Sequence, residues 1–160
     1  MRLNLGCGKR PLDGYVNVDL QGADVNHDLT QPLPFDAGVA DEVRAIHVFE
    51  HFYRYECEAI LADWVRVLKP GGVLVLELPC LDKVIQLFNW HIQRSKPVPT
   101  NLTLWGLYGD PIYRDPAMVH RWCYSCAELG GLMEKAGLTV SFKEATTHQP
   151  IRDMRVEGVK

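Results

Sequence analysis

The chain has no excess of basic charge. Its 17 Lys and Arg stand against 20 Asp and Glu, for a formal net charge of −3. No global field therefore steers it onto nucleic acid or anionic lipid, and neither is an expected partner, although a local basic patch stays open. Long apolar runs are also missing. The longest, such as Val73-Leu74-Val75-Leu76, fall far short of the ~20 residues of a membrane span, so no membrane partner is expected. Met1-Arg2-Leu3-Asn4-Leu5 opens on a strand-like segment, without a charged leader and an apolar signal core. Cysteines are few and odd in number. Cys7, Cys57, Cys80, Cys123 and Cys126 lie scattered in apolar or glycine-rich surroundings, which disfavours a disulfide framework and reads as reduced thiols in a cytoplasmic protein.

What is present fits one domain. A chain of 160 residues buries roughly two-thirds of its unfolded surface and needs neither metal nor disulfide to hold a core. No repeat, low-complexity stretch or linker divides it, so residues 1–160 are taken together. Residues 3–5 read as a first strand, cut off by Gly6-Cys7-Gly8. Residues 15–19 (YVNVD) alternate and are β-branched, residues 23–26 suggest a short third strand, and residues 42–47 a fourth. Residues 56–68 give the clearest helix, with Ile60, Leu61, Trp64, Val67 and Leu68 on one face. Pro70-Gly71-Gly72 ends it, and the near-continuous apolar run 73–78 fits a strand covered on both faces. Ser125-Cys126-Ala127-Glu128 is a capping box opening a helix that stops at Gly137. Residues 138–142 are strand-like, and the tail from Thr147 offers one more edge strand.

Strands alternating with helices predict an α/β fold with a mostly parallel sheet and helices on both faces. Ligands in such sheets sit beyond the carboxyl ends of the strands. One tension exists: only nine residues separate Leu5 from Tyr15. Parallel strands usually need a crossover of about a dozen or more, so any helix there must be vestigial.

Gly6-Cys7-Gly8 directly after a strand lets main chain approach a ligand closely, because neither glycine has a Cβ. The dinucleotide fingerprint wants a third glycine where this chain has Pro11. It also wants a full helix facing the pyrophosphate, and a ribose acid ~20 residues on. Asp19 comes only 11 residues after Gly8. NAD-dependent oxidoreduction is therefore the weaker reading. S-adenosylmethionine (SAM) carries no phosphate and needs no helix dipole; it needs close main chain, an acid for the ribose diol and acceptors for its ammonium.

Leu3-Asn4-Leu5-Gly6-Cys7-Gly8 followed by Gly14-Tyr15-Val16-Asn17-Val18-Asp19 resembles the first two motifs of compact class I SAM-dependent methyltransferases. Asp28-Leu29 with Leu33-Pro34-Phe35, then His47-Val48-Phe49-Glu50-His51, then Arg66-Val67-Leu68-Lys69-Pro70-Gly71-Gly72 continue the resemblance in order. His120-Arg121-Trp122 and Ala136-Gly137-Leu138 complete it, so that it spans roughly residues 3–142. The resemblance implies a Rossmann-like methyltransferase fold with a minimal N-terminal helical layer and SAM as cofactor. Gly6, Cys7 and Gly8 would then border its methionine part, Asp19 would bind the ribose, and Asp28 with Leu29 would hold the adenine edge. His47 would flank the ammonium and sulfonium. Asn4 is also expected at the cofactor, although many relatives have an acid there and an amide brings no charge.

Methyl transfer is an in-line displacement on an activated sulfonium, so the protein mainly aligns donor and acceptor. A base matters only where the acceptor loses a proton. Histidine titrates in the range that suits such a base, which makes His51 the catalytic candidate, with Glu50 to orient it. No metal is expected. His47-Val48-Phe49-Glu50-His51 matches H-x-x-E-H, but that zinc-hydrolase motif requires a helix and His47 ends a strand. His120, Cys123 and Cys126 have ligand-like spacing but lack a fourth ligand.

Residues 82–119 are least explained by the common fold. Val84, Ile85, Leu87 and Phe88 suggest an amphipathic helix, after which prolines and glycines break the chain into a loop. Trp90, Trp105, Tyr108 and Tyr113 are interleaved with it, which suggests a substrate lid in which Tyr108 and Tyr113 meet the acceptor beside His120 and Arg121. An aromatic satellite core is the plain alternative. The expected function is methyl transfer to a small-molecule acceptor. The alternative from another class is a catalytically idle SAM- or nucleoside-binding partner subunit. A trimmed helical layer would also leave surface for a homo-oligomer.

Overall fold

A computed structural model describes residues 1–160. Seven strands form one sheet: β1 (Arg2–Leu5), β2 (Val16–Asp19), β3 (Val25–Asn26), β4 (Ala40–Ile46), β5 (Leu68–Pro79), β6 (Thr139–Glu144) and β7 (Asp153–Val159). Their order is β3-β2-β1-β4-β5-β7-β6. The first five pair in parallel, and only β7 runs antiparallel to its neighbours. The order reverses between β1 and β4, which sets a topological switch point beside the glycine turn.

The expected elements are found, with three differences. The connection from β1 to β2 contains no helix, and none forms anywhere in residues 1–48, which removes the tension over its length. β5 begins at Leu68 rather than Val73, because Ala40 pairs with Leu68 before an irregularity leads to the Glu42–Val73 pair. The tail strand β7 is not an edge strand. It inserts between β5 and β6, its Met154 and Val156 buried against Leu78 and Leu76, and leaves the more exposed β6 at the rim.

The sheet's period-2 alternation separates two unlike faces. Leu3, Leu5, Val18, Val43, Ala45, Leu74, Leu76, Met154 and Val156 join one core cluster with α1 (Cys57–Val67) and α4 (Cys126–Lys135). Trp64, fully buried on α1, packs edge-on against Phe49 and Phe52. The ion pair Lys135–Glu58 joins the two helices on that side, and Arg54, just before α1, pairs with Glu128 of α4. The opposite face carries Asn4, Asn17, Arg44, Glu77, Arg155 and Glu157 by register. With no helix in residues 1–48, α1 and α4 share a single face, and the second face is polar.

α4 is capped as its sequence suggests, but only by half of the box. Ser125 Oγ accepts from Glu128 N at 3.1 Å, whereas the Glu128 carboxylate is drawn to Arg54 Nε at 2.9 Å and Trp122 Nε1 at 3.1 Å. Gly137, at φ +92°, follows the helix in the left-handed conformation that ends helices. Between β5 and α4 lie α2 (Leu81–Gln93), the short α3 (Leu104–Tyr108) and two 3₁₀ turns, Thr100–Leu102 and Pro116–Met118. No helix is long and apolar enough to cross a membrane.

Candidate active site at the strand ends

At the end of β1 the chain turns sharply. Gly6 and Gly8 adopt φ +65° and +53°, and the amides of Gly6 and Cys7 both donate to Val18 O. A Cβ on Gly6 would stand 2.3 Å from Val48 Cγ2, so β1 and the segment after β4 can approach this closely only across a glycine. A Cβ on Gly8 would meet nothing within 4 Å, leaving its main chain open to a ligand. Cys7 is buried beside them, and burial with nearby Asp19 pushes its thiol pKa up.

Asp19 ends β2 and closes this turn. Its Oδ2 accepts from Gly8 N at 2.7 Å and its Oδ1 from Leu20 N at 2.7 Å. Each oxygen keeps a further lone pair, and a carboxylate so anchored is a fixed acceptor for a diol. Asp28 forms an Asx-type turn, with Oδ1 accepting from Thr30 N and Oγ1, and the adjacent Leu29 is buried. Asn4 lies on the polar face of β1, where its Nδ2 donates to Asn17 Oδ1 at 2.9 Å. Asn17 in turn binds Leu12 N and Asp24, so this amide network braces the β1–β2 connection in place of a helix.

His47 follows β4 and is one of two non-glycine residues with positive φ, at +55°. Its Nε2 lies 3.1 Å from Asp153 Oδ2, and its Nδ1 lies 3.0 Å from Glu50 Oε1. Burial alone would lower its pKa, but the two carboxylates overcome this and raise it to about 9. Asp153, also held by Arg152, stays well below the usual carboxylate range against the opposing pull of burial. His47 is thus a charged tie between β4 and β7, edge-on to His148 at 4.3 Å.

The 3₁₀ turn Phe49–His51 carries Glu50 and His51. Main chain of the 119–122 segment holds this turn: Arg121 N and Trp122 N donate to Glu50 O, and Arg121 Nη1 donates to His51 O. The Arg121 guanidinium also covers the Tyr53 ring. His51 Nδ1 is 3.2 Å from Val119 O and His120 Nδ1 is 3.0 Å from Gly106 O. The expected pairing of Glu50 with His51 is not the closest one. His51 is oriented by a main-chain carbonyl, while Glu50 faces His47 at 3.0 Å and His120 at 3.9 Å.

Of the residues singled out in the sequence, Gly6, Cys7, Gly8, Asp19 and His47 gather around the ends of β1, β2 and β4, and Glu50, His51, His120 and Arg121 form one adjoining cluster. Tyr108 and Tyr113 belong to neither. Their side chains are exposed, and only their main chain is engaged, Tyr108 O accepting from His120 N and Tyr113 N donating to Asp110 O. His120 does not join Cys126 either. Cys126 Sγ lies 3.4 Å from Cys80 Sγ, in another group with Asp82. Sequence reasoning missed Asp153, which stands in an unremarkable tail and reaches His47 only through the placement of β7. Two surface clefts of about 200 and 150 Å³ lie away from the glycine turn, one between α1 and α4 and one between α1 and residues 29–32.

The methyltransferase domain family matches residues 7–76. No curated protein matches the sequence. Among solved structures, a SAM-dependent methyltransferase from Thermotoga maritima superposes with TM-score 0.63 at 16% identity, over 99% of this chain and 81% of that one. Another from Methanosarcina mazei gives TM-score 0.66 at 16% identity, over 99% and 91%. Magnesium protoporphyrin IX methyltransferase from Synechocystis, solved with bound SAH, gives 0.60 at 13%, over 99% and 73%. At these identities the likeness establishes the fold.

Proposed function

We propose that this chain is a class I methyltransferase that transfers the methyl group of S-adenosylmethionine (SAM) to a small-molecule acceptor in the cytoplasm, a reading supported by the methyltransferase-domain match over residues 7–76 and by the fold shared with SAM-dependent methyltransferases. The observation that carries this reading is the Gly6–Gly8 turn locked onto Asp19 at the switch point of the sheet. A SAM-type ligand needs a carboxylate for its ribose and main chain free of side chains beside it, and these residues supply both. The lack of a helix after β1 suits a ligand without phosphate. The five free thiols agree with a reducing compartment.

When bound, SAM supplies an electrophilic methyl group on a sulfonium. The chain's residues then do the following. Main chain of Gly6, Cys7 and Gly8 borders the methionine part, Asp19 holds the ribose, and Asp28 with Leu29 lies at the adenine edge. His47 contributes position rather than attraction, since its ring is cationic and already shared between Glu50 and Asp153. Where the acceptor must lose a proton, His51 is the group at the rim able to take it. Residues 82–119 are read as the lid. They hold nine of the seventeen large hydrophobic side chains exposed in the chain, among them Tyr108 and Tyr113, an apolar surface suited to an acceptor or to closure over one.

Calorimetric titration of SAM and SAH into the purified chain tests the cofactor, and incubation with methyl-labelled SAM and a pooled metabolite extract tests turnover. Binding with label transfer is the expected result. Binding without transfer to any acceptor would favour the idle SAM-binding subunit, and absence of both would end the reading.

A further inference from the structure

Glu50, His51 and His120 each bring one ligand-type atom to a common point, all within 4.8 Å of one another. The first two come from the turn after β4 and the third from the segment preceding α4, so sequence spacing alone does not group them. The Glu50 side chain is 1% exposed. His47 Nδ1 forms a close ion pair with it, and beyond that pair neither carboxylate oxygen has a hydrogen-bond partner. A buried, ionised carboxylate without hydrogen bonds is costly, and such groups are normally paired in full or bound to a metal.

The histidines are prepared in a way that a packing role does not require. Each directs Nδ1 at a main-chain carbonyl, His51 at Val119 O and His120 at Gly106 O. A carbonyl oxygen only accepts, so Nδ1 is the donor, and it is Nε2 that offers a lone pair to a metal in the neutral ring. This is how protein outer shells fix metal-binding imidazoles. His120 Nε2 stands 3.9 Å from Glu50 Oε1. Ligand atoms around a zinc-sized ion, at bonds of ~2.1 Å, are about 3.4 Å apart. The three groups, within 4.8 Å of one another, therefore need to close by at most about 1.4 Å. His51 and His120 are both only half-buried, which gives the site an entrance and room for a further ligand.

We propose that Glu50, His51 and His120 bind a first-row divalent transition-metal ion, with two imidazole nitrogens and one carboxylate as its protein ligands and at least one position open. Two imidazoles and a carboxylate suit zinc, iron(II) or cobalt(II) better than magnesium or calcium, which take oxygen ligands. The role of this ion rests on the methyl-transfer reading: at the rim of the site it would coordinate and acidify an acceptor hydroxyl, and His51 would then serve as ligand instead of base. The site itself does not depend on that role. Cys80, Asp82 and Cys126 form the competing cluster, in which both thiols are soft ligands.

The test titrates cobalt(II) and zinc(II) into metal-stripped protein, followed by calorimetry and by the visible spectrum of cobalt. One ion per chain is expected, with no thiolate-to-cobalt charge transfer in the near ultraviolet. His51→Ala and His120→Ala should each weaken binding at least tenfold, and Cys126→Ser should leave it unchanged. His51→Ala alters a partly exposed side chain, and circular dichroism confirms its fold, so the test survives if Glu50→Gln does not fold. No binding to the wild-type chain, thiolate charge transfer, or binding indifferent to His51→Ala and His120→Ala would each overturn the site. SAM binding measured on the same samples separates the two readings: SAM bound without metal refutes the ion alone, and metal bound without SAM refutes the methyltransferase assignment alone.

Discussion

His47 Nε2 stands 3.1 Å from Asp153 Oδ2, joining the residue just past β4 to the first residue of β7. Glu50 closes on the other ring nitrogen, so the imidazole is held cationic with its pKa raised to about 9, the carboxylates outweighing burial. A raised histidine pKa contributes stability that is complete below the unfolded value near ~6.5 and declines as pH rises to the folded value. Thermal unfolding of the wild-type chain should therefore show a fall in stability between pH ~6.5 and about 9, on the order of 3 kcal/mol. In His47→Gln this alkaline limb should vanish. A limb that persists unchanged in the variant would show that the tie between β4 and β7 is not charged.

The polar face of the sheet carries the opposite dependence. Glu77 on β5 is fully buried as a side chain, with Oε2 accepting from Thr146 N at 3.0 Å and Oε1 from Thr147 N at 2.7 Å. Burial pulls its pKa up, but these amides and Arg155 bring it below the ordinary carboxylate value. A depressed carboxylate pKa gives stability that is present above the unfolded value of ~4.3 and is lost as pH falls through the folded one. Glu77→Gln should cost about 1.5–3 kcal/mol at pH 7, as expected for hydrogen bonds to a charged group. Against wild type, that deficit should shrink steadily on acidification below pH ~4. A constant difference across the acid range would assign the loss to packing instead.

Asp19 is the residue on which the cofactor assignment turns most directly. Its carboxylate anchors Gly8 N and Leu20 N at the surface through separate oxygens, so Asp19→Asn keeps one of these two acceptors at an exposed turn and removes the charge. The fold should survive with a melting temperature close to wild type. Calorimetry should show SAM and SAH bound at least tenfold more weakly, about 1.4 kcal/mol. An unchanged affinity would move the ribose away from β2.

Much of the fold was legible because its signals are local. The run 73–78, the amphipathic face of α1 and the Ser125 cap each depend on residues near in sequence, and each formed where expected. The place of β7 was not legible, since its position between β5 and β6 is decided by which strand buries Met154 and Val156, a tertiary outcome. The same limit applied at the site. Gly6-Cys7-Gly8 and Asp19 announce themselves by strand-end position, whereas the partners of His47 and Glu50 come from residues 120 and 153, which no spacing rule connects to them. Spacing is equally silent on Cys126, which starts a helix whose first turn faces Cys80 rather than His120.

The two glycines of the turn should separate stability from binding. Gly6 adopts φ +65°, and a Cβ there would overlap Val48 Cγ2 at 2.3 Å, so Gly6→Ala meets both backbone strain and a clash. Strain of this kind is worth about 1–3 kcal/mol before the clash is added. At ~2–4 °C per kcal/mol for a domain of this size, the melting temperature should fall by on the order of 10 °C. Gly8→Ala carries only the strain of φ +53°, since its Cβ would point into space empty to 4 Å, and its loss of stability should be the smaller. That same empty space is where the ligand must come. Gly8→Ala should therefore weaken SAM binding well beyond what its small loss of stability accounts for. The measurement is melting temperature and SAM affinity on both variants. If Gly8→Ala binds SAM as wild type does, the main chain of the turn does not border the cofactor.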